Sequence, residues 1–264
     1  MTAAARAAAL IAPPVSAPST APRVVARALR VGYAGHALLP AFDVELAAGE
    51  VLLVVGRNGS GKSTFVKTAL GLLPAVGGEL TRAADVRAAF VPQATTIDPF
   101  VPLTAREVVL QGQLRGWGFV RPWRSAAERA GADAALEVMN LGALATRRFA
   151  ELSGGQQQRV LIARVLAGGA DLVALDEPTA AMDAASERAA YEQLRRLARE
   201  RGLCLMVVTH AVAVAAPYAD RVAFFDPDDR GADDKGRVVI DATAAVAADP
   251  RFIHMFGRID LAPS

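Results

Sequence analysis

Short apolar runs alternate with longer helical patterns over most of the chain. The runs VLLVV (51–55), DLVALD (171–176) and LCLMVV (203–208) are nearly continuous in apolar residues, and each precedes a segment with helical spacing. Strands of this kind, separated by helices, are typical of a mostly parallel sheet that is covered on both faces. The pattern therefore predicts an α/β fold with a mostly parallel sheet.

Two other regions have different patterns. Residues 23–50 alternate apolar and polar positions, with turn signals at Gly32 and Gly35, which indicates antiparallel strands. Residues from about 95 to 165 are mainly helical in pattern and contain no clear strand run, so we expect a helical subdomain inserted in the core. Near the C-terminus, the pattern predicts two strands joined by a charged loop at 226–237.

Composition limits the range of functions. The chain has 264 residues, 53% hydrophobic and 21% charged, which suits one sizeable domain. The net charge of +2 and the lack of a basic tract give no indication of nucleic-acid binding. A single cysteine, Cys204, excludes an intramolecular disulfide and is expected in the core. We expect an ordered domain over 23–257, between a disordered Ala/Pro-rich tail at 1–22 and a C-terminal tail at 258–264, without a membrane-spanning segment.

A phosphate-binding motif lies between the first apolar run and the helix that follows it. GRNGSGKST (56–64) fits the pattern G-x-x-x-x-G-K-[ST] of a P-loop in its strand-then-helix context. Glycines let backbone N–H groups turn toward a phosphate, and the helix adds the positive end of its dipole. Lys62 is expected to bridge the β- and γ-phosphates, and the Ser63 hydroxyl to hold Mg²⁺. The predicted nucleotide contacts here are Gly56, Arg57, Asn58, Gly59, Ser60, Gly61, Lys62, Ser63 and Thr64.

Two adjacent carboxylates end the apolar run DLVALD. Asp176 and Glu177 occupy the carboxyl end of a predicted strand, where the ligand sites of α/β sheets are found. Alone, such a pair is an ordinary solvated strand end. Downstream of a P-loop, Asp176 is expected to hold Mg²⁺ through its water shell, and Glu177 to orient or deprotonate the attacking water.

A second anion-binding helix start is predicted at LSGGQQQR (152–159). Ser153 and Gln156 fit a capping box, and Gly154 and Gly155 leave the helix N-terminus uncovered, so that it can receive an anion. A second phosphate-seeking helix end in one domain is understandable if it serves the nucleotide of a neighbouring subunit.

In this order, GRNGSGKST, LSGGQQQR and LVALDEP resemble the ATP-binding subunits of ABC transporters, from about Arg23 to Gly257. The resemblance implies an ATPase with a P-loop NTPase core, an antiparallel β subdomain and an inserted helical subdomain. Its cofactors would be ATP and Mg²⁺. It also implies a head-to-tail homodimer in which each ATP contacts 56–64 of one copy and Ser153, Gly154, Gly155 and Gln156 of the other.

The resemblance assigns further roles to single residues. Tyr33 matches the aromatic that stacks on adenine, although local packing in a strand is the alternative. Gln93 matches the glutamine that approaches Mg²⁺ and water, and His210 matches the switch histidine that contacts the γ-phosphate. Asp183 matches the aspartate of a loop that communicates across the dimer. That loop, TAAMD, departs from the family pattern, with Ala180 and Met182 where the family often has Ser and Leu.

Transport partners and substrate follow from the same resemblance. It implies an integral membrane permease, an extracytoplasmic substrate-binding protein and a peripheral location on the cytoplasmic face of the membrane. Residues 90–118 are similar to zinc and manganese importer subunits, although a capping box at Thr104 and Glu107 would explain part of the spacing. We expect import of a divalent metal ion. The alternatives are iron-chelate import, export, or a soluble ABC ATPase of cluster assembly. Trp117 and Trp123 either pack in the core or line a groove for a permease helix.

Overall fold

The three apolar runs form strands of a six-stranded sheet. The structure is a computed structural model that describes residues 22–92, 102–114, 124–180, 182–226 and 237–262. Two compact units divide the chain. One comprises the described parts of Pro18–Phe90, Asp171–Glu177 and Ala184–Ser264, called the nucleotide unit below. The helical unit comprises the described parts of Val91–Ala170 and Pro178–Asp183.

The described strands and helices have the following bounds. The strands are β1 (Pro22–Arg30), β2 (Gly32–Tyr33), β3 (His36–Ala37), β4 (Phe42–Ala47), β5 (Val51–Gly56), β6 (Gly77–Arg82), β7 (Ala88–Val91), β8 (Leu172–Asp176), β9 (Cys204–Val208), β10 (Arg221–Asp226) and β11 (Arg237–Ala242). The α-helices are α1 (Lys62–Ala69), α2 (Ala105–Gln111), α3 (Ala126–Val138), α4 (Gly154–Ala167), α5 (Ala184–Arg201), α6 (Val212–Ala215), α7 (Thr243–Ala247) and α8 (Pro250–Phe256).

The six-stranded sheet has the order β11-β10-β5-β9-β8-β7. Strands β10, β5, β9 and β8 pair in parallel, and β11 pairs antiparallel with β10 at one edge. Every residue of β5 and β9 is buried, which explains why these strands are apolar without alternation. The predicted mostly parallel sheet is confirmed. Because Val208 of β9 pairs with both Val54 and Asp176, the carboxyl ends of β5, β9 and β8 lie at the same edge.

A second sheet in the nucleotide unit is antiparallel, as the alternating pattern of residues 23–50 indicates. Its order is β4-β1-β6, and β1 begins at Pro22, one residue before the predicted start of the domain. In β4, Phe42, Val44 and Leu46 are buried, whereas Asp43 and Glu45 are exposed. Phe42 packs at 5.5 Å between ring centroids on Phe65, which belongs to α1. This sheet therefore contributes its apolar face to the core that supports the P-loop helix.

The helical unit is built on helices with well-defined N-termini. Capping boxes open α2, α3 and α4, and they include the two predicted from sequence at Thr104 and Ser153. Helices α2 and α4 approach closely at Gly112, where an added Cβ would lie 1.9 Å from the carbonyl oxygen of Arg164. No helix in the described part of the chain is both long and apolar enough to cross a membrane.

Cys204 lies in the buried strand β9 with no exposed surface, as expected for a core residue. Burial raises the pKa of its thiol. The two strands predicted near the C-terminus are β10 and β11, and residues 227–236 of the charged loop between them lie outside the described residues.

Helix α8 begins with a charge-assisted cap. The Oδ1 atom of Asp249 accepts a hydrogen bond from the backbone N–H of Arg251 at 2.8 Å, and the Arg251 guanidinium contacts Oδ2 at 2.5 Å. Hydrogen bonds from the Arg251 side chain are the main reason that the pKa of Asp249 falls to about 2. Because the folded state lowers this pKa, its stabilising contribution is present above pH ~4 and is lost as the pH falls toward about 2.

We expect Asp249→Ala to lower the free energy of unfolding by about 0.5–2 kcal/mol at pH 7, since it removes the cap. Asp249→Asn keeps a capping oxygen but loses the charge, so it should cost less than Asp249→Ala at pH 7 and match the wild type more closely as the pH falls below ~4. Urea unfolding at a series of pH values measures both effects. Equal unfolding free energies for the wild type and Asp249→Ala at pH 7 would contradict the stabilising role.

Candidate functional site

The P-loop connects the carboxyl end of β5 to the start of α1. Gly56 has φ 146°, and a Cβ at this position would lie 2.3 Å from the carbonyl oxygen of Phe225. Gly61, at the N-cap of α1, has φ 94°. Both conformations favour glycine, which explains the glycines at the two ends of the motif. The loop is thereby held between the buried sheet edge and the helix N-terminus.

Lys62 lies inside this loop. Its side chain is buried, and Nζ donates hydrogen bonds to the carbonyl oxygens of Gly56 at 2.7 Å and Arg57 at 2.8 Å. Burial lowers the pKa of Lys62, while the negative charges of Glu177 and Asp176 oppose this shift. The ammonium group is therefore directed into the loop and lies in the electrostatic field of both carboxylates.

Asp176 is the last residue of β8 and is partly buried. Burial raises the pKa of its carboxyl group, and the positive charge of Lys62 is the strongest influence against that shift. Burial thus disfavours the charged forms of both Asp176 and Lys62. The attraction between the two opposite charges favours both charged forms. Lys62 and Asp176 therefore lie close enough together in the nucleotide unit for each to influence the charge of the other.

Glu177 adopts a backbone conformation that is uncommon for a residue with a side chain. Its φ is 47°, and its N–H donates a hydrogen bond to the carbonyl oxygen of Val208 at 2.9 Å. The Oε1 atom lies 3.5 Å from Nε2 of His210, and Oε2 lies 3.4 Å from the backbone nitrogen of His210. Such strain persists where the surrounding structure fixes it, often at functional sites. The structure therefore brings Glu177 and His210 together.

Two polar contacts beside Glu177 were not expected from sequence. The Thr209 hydroxyl donates a hydrogen bond to Glu177 Oε2 at 3.4 Å, and the Tyr191 hydroxyl donates to Thr209 at 3.0 Å. Thr209 is adjacent to His210 and has a local signal as a polar residue at a strand end. Tyr191 has none, because it lies on α5 at a position that a helical pattern assigns to the core.

Tyr33 lies at the end of β2, with 49% of its surface exposed. Its hydroxyl accepts a hydrogen bond from the Thr64 hydroxyl at 3.2 Å, which connects the hairpin β2–β3 to the P-loop helix. Ser63 is exposed, whereas Ser60 is buried and its hydroxyl has no hydrogen-bond partner among the described residues. An exposed Tyr33 ring beside the phosphate loop suits a base-stacking role.

The second predicted anion site lies in the helical unit. Ser153 and Gln156 form the capping box of α4. The Ser153 backbone N–H donates to Gln156 Oε1 at 3.0 Å, and the Gln156 backbone N–H donates to Ser153 Oγ at 3.4 Å. A Cβ on Gly155 would lie 3.1 Å from Cγ of Met182, so the absence of a side chain at Gly155 leaves room for the Met182 side chain. Asp183 follows directly and precedes α5. Gln93, Trp117 and Trp123 lie outside the described residues.

The donor set suits a magnesium ion. Ser63 and Asp176 supply hydroxyl and carboxylate oxygens, which are the ligand types that Mg²⁺ prefers beside substrate phosphates. Among the residues that the structure describes, no group of three or more His, Cys, Asp or Glu side chains could hold a metal ion. A cation here would therefore depend on few protein ligands and on the phosphates of a nucleotide.

Comparisons with known proteins agree with this geometry. A family profile described as ABC transporter matches residues 39–180. The chain is 40% identical over 201 residues to the zinc transport system ATP-binding protein TroB of Treponema pallidum (strain Nichols), covering 74% of each chain. It is 36% identical over 197 residues to the manganese transport system ATP-binding protein MntB of Bacillus subtilis (strain 168), covering 72% of this chain and 78% of that one.

The chain is also similar to a hemin import subunit and to two solved structures. The hemin import ATP-binding protein HmuV of Streptomyces coelicolor is 38% identical over 231 residues, covering 80% of this chain and 78% of that one. The dimeric structure of the bacterial ABC transporter cassette MJ0796 is 28% identical, with a TM-score of 0.61 over 76% of this chain and 94% of that one. The ADP conformation of the cassette MJ1267 has 21% identity and a TM-score of 0.74 over 90% and 99%, and shows the shared fold.

We expect Lys62→Ala to weaken ATP binding by about 10- to 150-fold, since charge-assisted hydrogen bonds contribute about 1.5–3 kcal/mol. Equilibrium titration with a fluorescent ATP analogue measures the change. Lys67→Ala is the matched control, because Lys67 carries the same charge on the same helix beyond the loop. Unchanged binding by Lys62→Ala would contradict the phosphate-binding role of the loop.

Proposed function

Because the chain belongs to the ABC transporter family, we propose that it is the ATP-hydrolysing subunit of a transporter that imports a divalent metal ion, zinc or manganese, through a membrane permease. The proposal that the chain hydrolyses ATP rests on one observation. Four residues lie at one edge of the sheet, namely Lys62, Asp176, Glu177 and His210. A phosphate loop, a cation-binding carboxylate and a carboxylate base are together there.

Binding of the nucleotide begins with the phosphates. The N–H groups of the loop 56–61 and the N-terminus of α1 favour negative charge, and Lys62 supplies a positive charge. On phosphate binding, the Lys62 ammonium exchanges its contacts with the Gly56 and Arg57 carbonyl oxygens for phosphate oxygens. Tyr33 stacks on the adenine through its exposed ring.

Magnesium fits the oxygen donors described above, and Ser63, Gln93 and Asp176 would hold it. When bound, this ion neutralises negative charge on the phosphates. Glu177 accepts a proton from water as the water oxygen bonds to the γ-phosphorus and the bond from that phosphorus to ADP breaks. His210, whose imidazole lies 3.5 Å from Glu177, contacts the γ-phosphate and helps to place it.

A second copy of the chain completes each site. We infer that the α4 N-terminus, with Ser153, Gly154, Gly155 and Gln156, contacts the ATP held by the P-loop of the partner in a head-to-tail homodimer. Asp183 communicates across that dimer. A dimeric cassette at 28% identity supports this arrangement. Because ATP would contact both copies only in the closed dimer, it binds that state more tightly and shifts the population toward it.

The substrate proposal depends on the relatives. Two that cover over 70% of this chain are named for zinc and for manganese transport. The same resemblance supports a permease, an extracytoplasmic binding protein, and a location at the cytoplasmic face of the cell membrane through the permease. The second candidate is iron-chelate import, which the 38% identity to a hemin import subunit favours. Nothing in the described residues favours export or a soluble ATPase of cluster assembly over these two candidates.

We expect Glu177→Gln to bind ATP with near-wild-type affinity but to lose at least ~100-fold in the rate of hydrolysis, since general base catalysis contributes about 10²–10⁴-fold. With ATP and Mg²⁺ it should accumulate as a dimer. Phosphate release and light scattering measure the two effects. Glu79→Gln, the same change at an exposed position of β6, is the control. A Glu177→Gln variant that hydrolyses ATP at the wild-type rate would show that another group is the base.

The substrate is tested on the assembled transporter. Tagged Glu177→Gln protein is captured with ATP from detergent-solubilised native membranes, and mass spectrometry identifies the permease and the binding protein. We expect the wild-type complex in liposomes to hydrolyse ATP severalfold faster with binding protein loaded with Zn²⁺ or Mn²⁺ than with the unloaded protein. Stimulation by hemin or another iron chelate alone would favour the second candidate. Capture of soluble partners alone would exclude a transporter.

A further inference from the structure

We propose that Tyr191 and Thr209 are positioning residues that orient the Glu177 carboxylate for hydrolysis, an inference that rests on the proposed function. Neither residue belongs to the motifs singled out in the sequence. Both side chains are buried, with 3% of Tyr191 and 2% of Thr209 exposed. They connect α5 to the residue that acts as base.

The hydrogen bonds of Thr209 fix the direction of its proton. A threonine hydroxyl has one proton to donate and two lone pairs that accept. Thr209 Oγ1 accepts from the Tyr191 hydroxyl at 3.0 Å and from the backbone N–H of Ala211 at 3.1 Å. Since both lone pairs are engaged, the proton of Thr209 is left for donation, and Glu177 Oε2 lies within reach at 3.4 Å.

This donation selects one oxygen of the carboxylate. Glu177 Oε2 faces two donors, the Thr209 hydroxyl and the backbone N–H of His210. Oε1 faces the His210 imidazole instead, at 3.5 Å from Nε2. Oε2 is thus the anchored oxygen, and Oε1 is the oxygen that acts on water. The backbone of Glu177, at φ 47°, is held separately by its hydrogen bond to Val208.

Tyr191 is itself held in place by its surroundings. Its ring stacks on Tyr218, with 6.5 Å between centroids and 16° between planes. Arg195, one helical turn further along α5, donates a hydrogen bond to the carbonyl oxygen of Pro217 at 2.9 Å. The segment 216–218 is thereby fixed against α5, and the phenol hydroxyl keeps its direction toward Thr209. A long side chain on a packed helix therefore sets the position of a catalytic carboxylate.

The test compares variants that remove single hydroxyl groups. Tyr191→Phe should lower kcat about 3- to 10-fold, the range expected for loss of one neutral hydrogen bond, and Thr209→Val should lower it further. The ATP Kd of the free protein should stay within about twofold of the wild type, because both residues are buried and neither is among the proposed nucleotide contacts. Thr209→Ser, which restores the hydroxyl, should recover most of the lost rate. Tyr218→Phe removes the hydroxyl of the stacked neighbour and should leave kcat unchanged.

A double-mutant cycle separates positioning from general stability. In the Glu177→Gln background, slow single-turnover hydrolysis of labelled ATP should change less than about twofold on adding Tyr191→Phe, because the base is already absent. An equal fall in both backgrounds would overturn the proposal and indicate a structural role. Wild-type kcat in Tyr191→Phe and Thr209→Val, with Glu177→Gln inactive, would overturn this inference alone. Full hydrolysis by Glu177→Gln would instead overturn the proposed function.

Discussion

The parallel pairing of β5, β9 and β8 is the constraint on which the site depends. These three neighbouring strands are buried except at Asp176. Their carboxyl ends are aligned by the pairing of Val208 with both Val54 and Asp176. The P-loop leaves one strand, His210 follows the next, and Glu177 follows the third. Groups that are separated by more than a hundred residues in sequence therefore meet at one edge, because neighbouring parallel strands place their carboxyl ends at the same edge of the sheet.

Charge at this edge is costly without a charged ligand. Burial disfavours the charged forms of both Lys62 and Asp176, and each is supported by the charge of the other. Such mutual support offsets the loss of water only in part. A nucleotide with the proposed magnesium ion would add negative and positive charge to the same place, so the electrostatics of this edge favour a charged ligand over an apolar one. This agrees with the glycine-rich geometry of the loop.

Sequence patterns were most informative where the residues of one segment determine the conformation of that same segment. The P-loop glycines, the capping boxes and the uninterrupted apolar strands are local, and the structure shows Gly56, Gly61, Thr104 and Ser153 as expected. The helical pattern after the run LCLMVV is AVAVAAPYA (211–219), yet α6 has only four residues, Val212–Ala215. Pro217 explains its short length, since proline lacks an N–H for a helix to continue.

Other features could not be predicted because they arise from contacts between distant segments. The positive φ of Glu177 is unusual for a glutamate, and it is maintained by a backbone bond to Val208, on another strand. Thr209 acts on Glu177 only because β8 and β9 pair in register, and Tyr191 reaches Thr209 only because α5 packs beside β9's end. A motif identifies the groups that do the chemistry. The residues that hold those groups at the correct angle are specified by packing, and in the sequence they cannot be told apart from ordinary members of the core.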